Sequence, residues 1–144
     1  MEFQKQLILL TSALSVILLL IHELDACHKG EWKMFKFLRK LNEKTQYLIF
    51  LYAHIPLLFF LFYYLWTVIS FNNIILWVLV NTFLILHFAI HLRARKWESN
   101  VFQSFNSFVF IIGAAITGLL NLCLVASYWG EIIKLQRKPD TDGA

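Results

Sequence analysis

The chain alternates between long apolar runs and short polar segments. Four runs stand out: Leu7 to His22, Tyr47 to Ser70, Ile74 to Leu92 and Phe105 to Trp129. Runs near 20 residues match the roughly 30 Å hydrocarbon core of a bilayer when helical. In lipid every backbone N–H and C=O must be paired inside a helix or a closed barrel. The alternating ten-residue strands of a barrel are absent. The pattern therefore predicts an all-α fold, an integral membrane four-helix bundle, as one domain over residues 1–138. Its helices are expected near 7–26, 47–70, 74–92 and 102–129, with 139–144 a disordered tail.

The segment after the first run has a pattern of its own. Gly30 can end helix 1, and Met34, Phe35, Leu38 and Leu41 then recur at helical spacing among Lys33, Lys36, Arg39, Lys40 and Lys44. This predicts an interfacial amphipathic helix near 31–44, its cations reaching toward lipid phosphates. On helix 4, Gly113, Ala114, Thr117 and Gly118 form a face of small residues, and Thr11 and Ser15 give helix 1 a similar one. Such faces let helices approach closely, within the bundle or between protomers.

Composition agrees and adds orientation. The chain is 59% hydrophobic and only 15% charged, against about a quarter charged in soluble domains. Its net charge of +4 comes from short inter-helix segments and forms no basic groove, so anionic headgroups rather than nucleic acid are the expected partner. Nine cations (Lys29, Lys33, Lys36, Arg39, Lys40, Lys44, Arg93, Arg95, Lys96) fall on one side and four (Lys5, Lys134, Arg137, Lys138) on the other. The positive-inside rule then predicts both termini outside the cytoplasm. Leu24-Asp25-Ala26-Cys27 has the outline of a lipoprotein cleavage site, but His22 and Glu23 interrupt the approach and Asp25 stands where small residues are needed. Cys27 and Cys123 belong to opposite ends of the bundle, too far apart for a disulfide.

With that topology all five histidines share one half of the membrane. His22 and His28 flank the end of helix 1, His54 lies early in helix 2, and His87 and His91 end helix 3. Ionisable groups at such depth are costly and tend to face a bundle interior. At about 100° per residue, His22, Asp25 and His28 fall within a 120° arc. His87 and His91, four apart, present both rings on one face, a spacing that can chelate a transition metal completed by a carboxylate. His22, Asp25, His87 and His91 are the expected ligands of a divalent transition metal, with His28 and His54 as further candidates and Glu23 as an acid or base. Pro56 cannot donate to the carbonyl of Tyr52, which favours a kink near His54. The bland alternative is a structural polar network in which Glu23 pairs with Lys29 or an arginine.

His22-Glu23-Leu24-Asp25-Ala26 with Glu31-Trp32 resembles the first-helix signature of small bacterial membrane proteins of unknown function. That resemblance, over about residues 20–36, implies a four-helix fold in a bacterial inner membrane and supplies no activity. The His87-x-x-x-His91 pair is similar to one histidine box of membrane desaturases, but the further boxes are absent. No His-Glu-x-x-His or Walker sequence occurs. The leading expectation is a metal site acting on a membrane-dissolved substrate. Two alternatives are an accessory subunit binding a membrane protein or a second copy, and an electron carrier with haem between His54 and His87.

Overall fold

The structure, a computed structural model, describes residues 2–94 and 105–136. Four helices are long and apolar enough to cross a membrane: α1 Glu2–Lys29, α2 Glu43–Ser70, α3 Ile74–Ala94 and α4 Phe105–Ser127. A short α5, Trp129–Gln136, follows. The fold is thus the all-α, four-helix membrane architecture that the apolar runs predict. Arg95, Lys96, Arg137, Lys138 and the 139–144 tail lie outside the described residues.

Helix ends extend past the apolar runs for identifiable reasons. Glu2 in the first turn of α1, and His28 and Lys29 in its last, suit the helix dipole. Gly30, at φ 74°, stops α1 in the left-handed region that glycine adopts at little steric cost. The Asn42 side chain caps α2 by accepting from the Thr45 N–H at 2.9 Å, so that helix begins one turn before Tyr47. Asn73 accepts from the Leu76 N–H at 3.0 Å and starts α3 in the same way. α2 runs through Pro56 as a single helix.

Between α1 and α2 the predicted amphipathic helix takes another form. Two 3-10 turns, Glu31–Met34 and Lys36–Leu38, are separated by an extended Phe35. The division of faces survives, with Glu31, Met34 and Leu38 buried while Lys33, Lys36, Arg39 and Lys40 are exposed. A three-residue period aligns Glu31 with Met34, and both pack over the end of the bundle.

α4 makes the most extensive contacts, along α1 and α3, and α2 packs more thinly on the outside. The small-residue face of α4 serves this internal packing. A Cβ on Gly113 would stand 3.0 Å from Leu18 Cδ1, and one on Gly118 would stand 3.2 Å from the Asn81 carbonyl oxygen. Residues such as Phe59, Phe62 and Ile75 remain more than half exposed. In water they would be a large apolar liability; against lipid tails they are solvated.

One half of the bundle is laced by neutral hydrogen bonds. The Asn121 amide nitrogen, with two hydrogens to donate, lies within hydrogen-bond distance of the Ile8 carbonyl (3.0 Å), Thr11 Oγ1 (2.8 Å) and Ser12 Oγ (2.8 Å). Asn81 donates to Asn121 Oδ1 (3.0 Å) and to the Tyr64 hydroxyl (3.2 Å), which itself donates to Ser12 Oγ (3.0 Å). All four spanning helices are joined here without a formal charge.

Candidate metal centre

The opposite half is built differently. On α1, Ser15, Leu19, His22 and Ala26 form the buried stripe. This carries His22 into the interior, where it is 0% exposed. Its Nδ1 stands 3.1 Å from Ser107 Oγ on α4, which sets the ring's orientation. On α3, His87 and His91 lie one turn apart with ring centroids at 4.7 Å. The His22 ring meets both edge-on, at 5.5 Å from His87 and 4.8 Å from His91.

One ring nitrogen from each of His22, His87 and His91 falls in a set whose members all lie within 4.8 Å of one another. Nitrogens that share one zinc ion at 2.0–2.1 Å stand about 3.3 Å apart in tetrahedral geometry, so small ring movements would close the set. Three of the four expected ligands are therefore gathered, and Asp25 is not in the set. It is half-buried, with Oδ2 lacking a hydrogen-bond partner. His28 is exposed at the end of α1. The expected 120° arc is wider than the buried stripe, so it holds His22 at the interior and carries His28 to the surface.

Glu23 points to the other side of His22 and does not pair with a lysine or arginine in the described structure. Its Oε2 lies 3.0 Å from His54 Nε2 and its Oε1 3.7 Å from His87 Nε2. His54 Nδ1 is 2.7 Å from the Phe50 carbonyl oxygen, an acceptor only, so Nδ1 carries a proton and donates. The short Nε2–Oε2 contact then needs a second proton between His54 and Glu23. Both His54 Nε2 and His87 Nε2 thus face the same carboxylate.

Glu31 closes this region from the first 3-10 turn. It is 6% exposed, and its Oε1 is buried without a hydrogen-bond partner. Burial pushes its carboxyl up to about 8, and the neighbouring charges of Glu23 and Asp25 push the same way. Its burial depends on the 3-10 turn that follows Gly30. Glu23's pairing had no sequence signal beyond its offset from His22, because nothing local shows which helix lies across from it.

Neither a curated protein nor a solved structure matches the chain. A family model does match, over residues 8–128, which covers α2, α3, α4, most of α1 and the histidine cluster. The chain belongs to that family, described as a family of unknown function, DUF6713.

Proposed function

We propose that the protein is a membrane metalloprotein in which His22, His87 and His91 hold a divalent transition metal. The observation that carries this reading is the convergence of three ring nitrogens from α1 and α3 within 4.8 Å of one another. Three imidazoles suit zinc, iron, cobalt, nickel or copper better than magnesium or calcium. Three protein ligands leave a coordination position for water or substrate, as in catalytic zinc sites.

Ser107 would orient His22 from outside the ligand set, and Glu23 would do the same for His87. Glu23 also shares a proton with His54, which suits it to act as an acid or base on a substrate at the metal. A centre sunk at the end of the spans favours a membrane-dissolved substrate, with the basic 29–44 segment on the cytoplasmic side and both termini across the membrane.

Elemental analysis of protein purified in detergent tests the reading. Stoichiometric metal is expected in the parent and in Asp25→Ala, and its loss is expected in His87→Ala with the helical content retained. Metal-free parent protein after incubation with zinc, iron and manganese in turn would refute it.

A further inference from the structure

Glu31 shares a cavity of about 190 Å³ with Glu23, His87 and His91. The rest of the wall is apolar, with Met34, Phe35, Phe50 and Ile90 along it, and no Lys or Arg lines it among the described residues. Glu31 is more than nine-tenths buried, and its Oε1 has no hydrogen-bond partner. A buried oxygen in that condition is costly unless something in the cavity meets it. The apolar side chains around it cannot.

A divalent ion on His22, His87 and His91 would have a need of the opposite sign. Three neutral imidazoles compensate none of its charge, and buried charge is costly unless paired. Carboxylate oxygen is an ordinary zinc ligand beside histidine, and Glu23, Asp25 and Glu31 are the candidates from this end of the chain. Glu23 faces His54 at 3.0 Å through one oxygen and His87 at 3.7 Å through the other. Asp25 does not line the cavity that His87 and His91 line. Glu31 lines it with an oxygen to spare. No carboxylate belongs to the 4.8 Å set, so the Glu31 side chain must turn into the cavity to reach the ion.

We infer that Glu31 is the fourth protein ligand of the ion held by His22, His87 and His91, closing the site from the first 3-10 turn. The inference rests on the metal reading for the ion, and on the cavity and the orphaned oxygen for the choice of carboxylate. In the resting protein Glu31 takes the position that three histidines leave open, and a substrate must displace it or bring zinc to five ligands. The turn packs mainly on α1 and α2, so this bond also ties the basic segment to α3 through His87 and His91.

The test uses the full chain in detergent, loaded with zinc or with cobalt, whose visible absorption follows its ligands. Glu31→Gln keeps the shape of the side chain without its charge, and Glu31→Leu suits the apolar wall should the first variant misfold. Both should bind zinc at least about a hundredfold more weakly in competition with a chelator, the top of the range for residues that only orient ligands. Imidazole, small and neutral, is then titrated into the cobalt-loaded proteins. It should bind both variants about tenfold more tightly than the parent, where Glu31 competes at high effective concentration. Equal zinc affinity in the parent and both variants, or imidazole binding equally tight in all three, would overturn the proposal and leave the three-histidine site standing. A parent that takes up neither metal would refute the site itself, and the role of Glu31 with it.

Discussion

Around Asn121 and around His22 the same four helices bury polar side chains, but they do so under different rules. At Asn121 the groups are neutral, and donors from one helix meet acceptors on the next within 2.8–3.2 Å. Asn81 Oδ1 is the atom left over there. Around His22 the side chains are ionisable, and Asp25 Oδ2, Glu31 Oε1 and His87 Nε2 are buried without hydrogen bonds. A protein selected only for stability has no reason to gather such groups, since each orphan carries a desolvation cost. The contrast separates a polar cluster whose donors and acceptors are largely matched across helices from one that leaves several ionisable groups without hydrogen bonds.

The comparison can be broken from either side. Asn121→Leu should have the largest effect on stability. It removes three donor contacts and the acceptor for Asn81, and transmembrane hydrogen bonds contribute somewhat under 1 kcal/mol each. A loss of about 2 kcal/mol is expected from thermal unfolding in detergent, with metal bound per folded molecule unchanged. If metal binding fell in step with stability, the two halves would not be separable.

Ser107→Ala reverses the pattern. The ring of His22 loses its 3.1 Å contact, and metal affinity should drop by about tenfold while the melting temperature of metal-free protein barely moves. An equal affinity in a competition titration with a zinc chelator would remove Ser107 from the site.

The smallest effect is one of slope. Glu31 has its folded value raised from 4.5 to about 8, so the folded chain holds a proton that the unfolded chain releases above about 4.5. Stability should therefore be fullest below that pH, fall as pH rises toward 8, and level off beyond it. The groups facing Glu31 are Glu23 and Asp25 from α1, with His87 and His91 across the cavity from α3. Glu31→Gln should flatten that decline in metal-free protein, as read by melting temperature between pH 5 and pH 9. A slope identical to the parent's would mean that Glu31 is not held neutral.

Much of the architecture can be read along the chain, because a bilayer admits few alternatives. An apolar run near 20 residues must pair its own backbone, so Ile74 to Leu92 already specifies α3 and leaves only its end, Ala94, to local detail. The half in which the histidines gather follows from the same runs. The i, i+4 spacing of His87 and His91 also fixes their shared face before any neighbour is known.

What periodicity cannot supply is the rotation of one helix against another. His22, Asp25 and His28 share an arc on α1, yet only the packing of α4 and α3 decided that the stripe through Ser15, Leu19, His22 and Ala26 turns inward. That choice sent His22 to Ser107, His87 and His91, and left His28 exposed. It also turned Glu23 toward His54 across the α1–α2 contact rather than toward a cation. Glu31 joined the cluster because left-handed Gly30 and a 3-10 turn folded it back over the bundle, a path that helical spacing does not encode. Hydrophobic length determined that the chain spans a membrane with its histidines at one end; side-chain packing between helices distant in sequence decided which of them meet.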